Sequence, residues 1–148
     1  MPHKTDGMST VQKEALRSFW DKIAPEAKPL GSEAMYRLLN VYPCTKSYFM
    51  HYDQSQSSPD LLIHGGKVMN AIGAGIKNID HNLCGEMGGL PDLHTKRLRL
   101  EMEHFRFFSI VLQITLARNY PQDFDAELQN AWEKYLHVLS SVLLNIFP

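Results

Sequence analysis

The sequence predicts an all-α fold, and three observations support this prediction. Apolar residues recur at intervals of three or four positions along several stretches of the chain. Capping residues and prolines mark where these stretches begin and end. No stretch shows the alternating pattern that is typical of a strand or hairpin. We therefore expect one domain of six or more helices joined by short connections.

The first helix is predicted to start at a capping box. The Ser9 hydroxyl and the Gln12 side chain can each bind the backbone N–H of the other residue. Pro25 is expected to end this helix. Its apolar face follows helical spacing and consists of Val11, Ala15, Phe19, Trp20 and Ile23.

A second helix is predicted from about Leu30 to Val41. Pro43 then starts a short helical turn that leads to Phe49, and residues 50–57 are polar, which indicates a loop. Ser58-Pro59-Asp60 is a strong helix start, because it combines a cap, a proline at the first helical position and an acid in the first turn.

The third helix has one apolar face that includes a histidine. It also contains four glycines, which lower the stability of a helix. Since a glycine within a helix often lets another backbone approach closely, we expect a tight crossing between this helix and Gly31 of the second helix. The face consists of Leu61, His64, Val68, Ile72, Ile76 and Ile79.

Three further helical segments are predicted in the second half of the chain. Pro91 opens the first of them, a second runs from about Glu103 to Asn119 until Pro121 ends the pattern, and Asp125 caps the last. Their inward residues are expected to be Leu93, His94 and Leu98 in the first, Phe105, Phe108, Leu112 and Leu116 in the second, and Leu128, Ala131, Tyr135, Leu139, Val142 and Ile146 in the last.

The composition is that of a globular protein without a strong electrostatic partner. The 148 residues are 44% apolar and 21% charged, and the net charge is −1. This balance predicts binding neither to nucleic acid nor to a membrane, and no apolar run is long enough to span a bilayer. Residues 1–8 are expected to be a short flexible extension rather than a signal peptide, and residues 9–148 to form the domain.

The two cysteines give no sign of a zinc site or a disulfide framework. Cys44 and Cys84 lie far apart and show no CxxC spacing. This pattern favours a reducing, cytoplasmic location.

Two histidines on apolar helix faces are the candidates for chemistry. A buried imidazole without a partner is costly, and a metal bound to its neutral nitrogen removes that cost. His64 and His94 could therefore bind a haem iron from opposite sides. A pair of core histidines bonded to carbonyl groups explains the spacing equally well.

The neighbours of His64 fit the same pocket. Phe49 could pack against a flat cofactor, and Val68 lies one helical turn after His64. Lys67, His51 and Arg97 could meet anionic cofactor groups, although solvated surface charge explains them as well. The motifs of serine hydrolases, P-loop proteins, zinc proteases and dinucleotide-binding folds are missing from the sequence.

Four segments in this order resemble the globin family, and within it vertebrate α-type haemoglobin chains. The similarity runs from about Ser9 to Phe147. The segments are Phe19-Trp20-Asp21-Lys22-Ile23, Tyr42-Pro43-Cys44-Thr45-Lys46-Ser47-Tyr48-Phe49, His64-Gly65-Gly66-Lys67-Val68 and Leu93-His94-Thr95-Lys96-Arg97-Leu98-Arg99.

The resemblance implies a globin fold of seven to eight helices around haem b. By position, His94 is the proximal iron ligand and His64 the distal histidine, which meets the iron-bound gas or the iron itself. The positions that match residues lining the haem or its propionates are Tyr48, Phe49, His51, Tyr52, His64, Lys67, Val68, Leu93, His94, Leu98, Leu100, His104, Phe105, Phe108, Leu139 and Leu143.

Two departures from the α-chain pattern bear on assembly. The usual Val-Asp-Pro-x-Asn-Phe is replaced by residues 100–105, Leu-Glu-Met-Glu-His-Phe, and the usual terminal Tyr-Arg by Phe147-Pro148. Arg37, Tyr48 and Phe124 still match subunit-contact positions. The partners implied are β-type globin chains or a second copy of this chain. A divergent relative such as globin Y, with weak cooperativity and a small Bohr effect, also fits.

The leading functional prediction is reversible binding of O₂, and also of CO and NO, for transport or storage. This makes the protein a carrier rather than an enzyme. One alternative is a haem enzyme that acts on nitric oxide, nitrite or peroxide, and another is a six-coordinate gas or redox sensor. A helical protein that has kept the fold without haem is a further alternative, which the retained His94, His64 and Phe49 disfavour.

Overall fold

The computed structural model describes residues 7–79 and 105–146, and these residues form five α-helices and two short 3₁₀ segments. No strand occurs in these two ranges, so the all-α prediction is confirmed. The predicted helix after Pro91 lies outside the described residues. The helices are α1 (Thr10–Ile23), α2 (Ala27–Val41), α3 (Pro59–Lys77), α4 (Phe105–Asn119) and α5 (Ala126–Ile146), and the 3₁₀ segments are Ala24–Glu26 and Pro43–Phe49.

The start of α1 confirms the predicted capping box. The Ser9 backbone N–H donates to Oε1 of Gln12 at 3.0 Å, and the Gln12 N–H donates to Oγ of Ser9 at 3.1 Å. Val11, which the pattern placed on the apolar face, is 74% exposed because the first turn of α1 extends beyond the core. Leu16, which the pattern did not single out, is fully buried instead.

The second helix begins earlier than the sequence predicted. α2 starts at Ala27, directly after the 3₁₀ segment that contains Pro25. Pro29 occupies the third position of α2. A proline is tolerated there, because the first N–H groups of a helix have no acceptor within the helix. The prediction of a start at Leu30 was therefore wrong by three residues.

α2 and α3 cross with their backbones in contact, as the glycines predicted. A Cβ atom built on Gly31 would lie 2.3 Å from the carbonyl oxygen of Gly65. A Cβ on Gly65 would lie 2.4 Å from the carbonyl carbon of Gly31. A third contact was not predicted: the Trp20 indole covers Gly73, where a Cβ would lie 2.2 Å from Cζ2. These contacts fix the position of α3.

The last helix packs against α3 through a buried tyrosine. The Tyr135 hydroxyl is fully buried and donates a hydrogen bond of 2.7 Å to the carbonyl oxygen of Ile72. Burial raises the pKa of this hydroxyl well above its ordinary value of 10.0. The start of α5 confirms the predicted cap, because the Leu128 N–H donates to Oδ1 of Asp125 at 2.9 Å.

The core of the described residues is continuous from α1 to α5. It contains the predicted inward residues Phe108, Leu112 and Leu116 of α4. Trp132 of α5 is also fully buried, although the sequence pattern did not single it out. Within the two described ranges, none of the helices combines the length and the apolar character needed to cross a bilayer.

Candidate functional site

Three aromatic rings meet where α3 begins, and we call Phe49, Tyr52 and His64 the aromatic corner. The ring centroids lie 5.3 Å apart for Phe49 and His64, 5.5 Å for Phe49 and Tyr52, and 5.6 Å for Tyr52 and His64. Phe49 is buried, whereas Tyr52 and His64 are half-buried. The corner therefore joins Phe49 at the end of the 3₁₀ segment, Tyr52 in the loop that follows and His64 of α3.

The 3₁₀ segment Pro43–Phe49 fixes one side of this corner. Its buried Thr45 donates from Oγ1 to the Tyr42 carbonyl oxygen at 2.8 Å. The carbonyl oxygen of Phe49 accepts two hydrogen bonds, one from the Tyr52 N–H and one from Nε2 of Gln54, both 2.9 Å long. Tyr52 is thereby held close to the residue that precedes the loop.

The loop of residues 50–57 is tied to the first turn of α3. Ser58 caps α3, because its Oγ accepts from the Leu61 N–H at 3.2 Å while its hydroxyl donates to the Asp53 carbonyl oxygen. The Asp53 N–H donates to Oδ2 of Asp60 at 2.7 Å. The hydroxyl and the backbone N–H of Ser55 both donate to the Asp53 carboxylate, which lowers the pKa of that exposed group.

The two ring nitrogens of His64 have different surroundings. Nδ1 lies 3.4 Å from the Tyr52 hydroxyl oxygen. Nε2, on the far side of the ring, is buried. A neutral imidazole carries a proton on one nitrogen and a lone pair on the other, so the hydrogen bond at Nδ1 influences what Nε2 can do.

The other predicted site residues of α3 and the loop take two kinds of position. Val68 is half-buried and packs against the core. Lys67 and His51 are exposed, and the His51 ring lies 4.5 Å from that of Tyr52, centroid to centroid. Tyr48 is half-buried and contacts the core.

Several predicted residues of α4 and α5 border the same core. Phe108 and Leu139 are buried, and Phe105 is half-buried with its ring 6.2 Å from that of Phe108. Leu143 belongs to α5, but its side chain lies outside the described ones. The remaining predicted site residues also lie outside the described residues; they are Leu93, His94, Leu98, Leu100 and His104.

Sequence reasoning placed Tyr52 near the site but missed its contact with His64. Tyr52 lies in the loop of residues 50–57, and no periodic pattern runs through a loop. Ser57 in this loop adopts a left-handed conformation with a φ of 61°. Serine is not a residue type that predicts such a conformation. The approach of Tyr52 to Nδ1 therefore left no signal in the sequence.

In this helical fold, α3 places the imidazole of His64 next to the aromatic side chains Phe49 and Tyr52. The globin family model matches residues 32–143, which is most of the chain. The chain belongs to the globin family.

The similar proteins include several haemoglobin subunits. Hemoglobin subunit alpha-4 of Xenopus laevis is 45% identical over 136 residues, which cover 92% of this chain and 95% of the relative. Hemoglobin subunit zeta of Equus caballus is 41% identical over 136 residues, with the same coverage of both chains. Hemoglobin subunit pi of Gallus gallus is 40% identical over 136 residues, again covering 92% and 95%.

Proposed function

We propose that this globin holds haem b and binds O₂ reversibly, for transport or storage. Its relatives include haemoglobin subunits that align with nearly the whole chain. The observation in the structure that supports the proposal best is the placement of His64, with its buried Nε2 on the far side of the ring from Tyr52. The polarity and the hydrogen-bond donors of the distal pocket decide whether a haem binds O₂ reversibly, and one such group in apolar surroundings favours that outcome.

The described residues fit the chemistry of a haem pocket. Haem is a flat, mostly apolar group, so it needs hydrocarbon and aromatic walls. Phe49 is 2% exposed and presents a ring at the corner, while Val68 packs against the core one turn after His64. The exposed ammonium group of Lys67 has the charge that a carboxylate of the cofactor would attract.

The predicted site residues have different roles in the proposed haem site. We assign His94 to hold the iron and Phe49 to pack against the porphyrin, and Val68 to limit the space for the gas. Haem b, when bound, supplies a ferrous iron with one position open to a diatomic ligand. Tyr48, His51, Tyr52 and Lys67 belong to the wall or the propionate side, together with Leu93, Leu98, Leu100, His104, Phe105, Phe108, Leu139 and Leu143.

His64 would supply the polar contact to the gas. A proton held on Nε2 lets this nitrogen donate a hydrogen bond to a diatomic ligand that carries partial negative charge. Such a bond is worth about 1–2 kcal/mol, which corresponds to roughly tenfold or more in affinity. The apolar side chains near it, Phe49 and Val68, would limit the access of water and so would slow oxidation of a bound iron.

The surface of α4 supports association with another globin chain. Ile110 and Ile114 stand one helical turn apart and are 43% and 48% exposed. On this basis we propose a β-type globin chain or a second copy of this chain as partner. We also propose a cytoplasmic location, because the two cysteines give no sign of a disulfide framework. Phe124, which matches a subunit-contact position, is buried in the described structure and packs against Phe19 with ring centroids 6.0 Å apart.

The proposed function is tested by repeated oxygenation of the purified, reduced protein. We expect the absorption spectrum to change with O₂ pressure and to return on deoxygenation over several cycles. Oxidation of the iron during the first exposure to O₂, or an absorption spectrum that does not change with O₂ pressure, would rule out an oxygen carrier. Sustained turnover of nitric oxide or nitrite with a reductase would instead favour the enzymatic alternative.

A further inference from the structure

We propose that Tyr52 sets the tautomer of His64, so that the imidazole proton resides on Nε2. This inference rests on the proposed function for its consequence, which is the direction of the hydrogen bond offered to the gas. It adds a positioning residue to the site. The geometry that carries it is the approach of the Tyr52 hydroxyl to Nδ1, at 3.4 Å.

Tyr52 is held where this contact can persist. Its N–H donates to the Phe49 carbonyl oxygen at 2.9 Å, and its ring lies against the rings of both Phe49 and His64. The loop that contains Tyr52 is anchored to α3 through the hydrogen bonds of Asp53 with Ser58 and Asp60. The hydroxyl and the imidazole are therefore brought together by two fixed segments of backbone, not by a freely rotating surface side chain.

The chemistry of the two groups decides which of them donates. A phenol O–H is a stronger acid than the N–H of a neutral imidazole, and an imidazole nitrogen is a stronger base than a phenol oxygen. The favoured arrangement thus has the Tyr52 hydroxyl donating and Nδ1 accepting. Since a neutral imidazole carries one N–H, its proton then lies on Nε2.

The opposite tautomer would change the function of the site. With a proton on Nδ1, Nε2 would present a lone pair, which repels a negatively polarised gas and is suited to bind a metal. Tyr52 therefore favours gas binding with an open iron position over direct ligation by His64. The nearby Phe49 ring has no hydrogen-bonding group, so it cannot take over this selection.

The test is ¹⁵N NMR of the histidine rings in the full-length protein, in its CO-bound form and after haem extraction. We expect Nε2 of His64 to carry the proton in the wild type, and Tyr52→Phe to give a mixture of both tautomers. Tyr36→Phe serves as the control, because it removes a hydroxyl from a half-buried tyrosine of α2 that is remote in sequence from the corner. In Tyr36→Phe, the tautomer of His64 should be the same as in the wild type.

The kinetic consequence is smaller than the loss of the histidine itself. In Tyr52→Phe we expect O₂ release to accelerate by roughly two- to fivefold, less than the loss of a whole hydrogen bond would cause. A proton on Nδ1 in the wild type, or identical tautomer populations in Tyr52→Phe, would overturn the inference. Failure to bind haem would defeat the proposed function alone, because the tautomer of His64 can still be read in the haem-free chain.

Discussion

Two adjacent residues of α3 face opposite kinds of surroundings. Gly65 meets the backbone of α2, and a Cβ there would lie 2.4 Å from the carbonyl carbon of Gly31. His64, one residue earlier, faces Phe49 and Tyr52 across the aromatic corner. Gly65 is fixed by contact between backbones, whereas the ring of His64 meets one side chain from the 3₁₀ segment and one from the loop.

The difference shows how rigidity and chemistry are divided along this helix. The crossing at Gly65 leaves no space for adjustment, so it determines where α3 lies. The ring of His64 is then carried to a defined place without being tightly enclosed itself. A histidine on a well-anchored helix can meet a small ligand with little reorganisation, which favours a preorganised site.

The largest effect is expected from placing a methyl group in the crossing. Gly65→Ala should destabilise the protein by about 3 kcal/mol, because the two backbones must move apart. Gly66→Ala is the matched control: the three atoms nearest to its Cβ all belong to the flexible Lys28 side chain, the nearest of them at 3.0 Å. Urea unfolding followed by circular dichroism measures both. Equal stabilities would show that the crossing is not tight.

Replacing the neighbouring histidine should change O₂ binding far more than the stability of the fold. His64→Leu is expected to raise the O₂ dissociation rate by about tenfold, because it removes the proposed hydrogen bond. Oxidation of the iron should accelerate as well. Ile63→Leu, on the exposed side of the same turn, is the control. Stopped-flow kinetics that are unchanged in His64→Leu would remove the proposed role of this residue.

The core side of α3 can be probed through Tyr135. Tyr135→Phe removes the hydrogen bond to the Ile72 carbonyl oxygen and should cost about 1 kcal/mol at neutral pH. The penalty should shrink and then reverse at high pH. Burial raises the pKa of this hydroxyl in the folded protein, so above the ordinary value of 10.0 the unfolded chain releases a proton that the folded chain retains.

The wild type should therefore lose stability as the pH rises above that ordinary value, by about 1.4 kcal/mol per pH unit relative to Tyr135→Phe. Urea unfolding of both proteins across the alkaline range measures this difference. Parallel curves would mean that the hydroxyl reaches solvent in the folded state.

The smallest effect is expected at the N-terminal cap of α3, next to the aromatic corner. Ser58→Ala removes the cap of α3 and the link to the Asp53 carbonyl oxygen, and it should cost roughly 0.5–1 kcal/mol. O₂ release should change less than in His64→Leu, because the crossing still holds the helix. A larger kinetic change in Ser58→Ala than in His64→Leu would show that the loop, not the crossing, positions the histidine.

Local signals allowed much of this structure to be predicted. The capping box at Ser9 and the start of α3 at Ser58 involve residues close in sequence, so local patterns predict them. The crossing of Gly31 and Gly65 was also predicted, because glycine in a helix has few other reasons to be there.

The errors arose where tertiary structure overrides local preference. The start of α2 was placed too late, because the chain resumes an α-helix directly after the one 3₁₀ turn that contains Pro25. Val11 was assigned to the core, although its side chain is exposed. The contact between Tyr52 and His64 depends on the path of a loop, which no periodicity describes.

The central claim is that one imidazole, His94, holds haem in this chain while His64 faces the gas. Haem titration of the full-length chain, read by the absorption spectrum of the reduced protein with CO, tests it most directly. The wild type should bind one haem, His94→Gly should bind it weakly and recover with added imidazole, and His137→Gly, at an exposed position of α5, should behave as the wild type. A wild-type chain that takes up no haem, or an unaltered spectrum in His94→Gly, would contradict the claim.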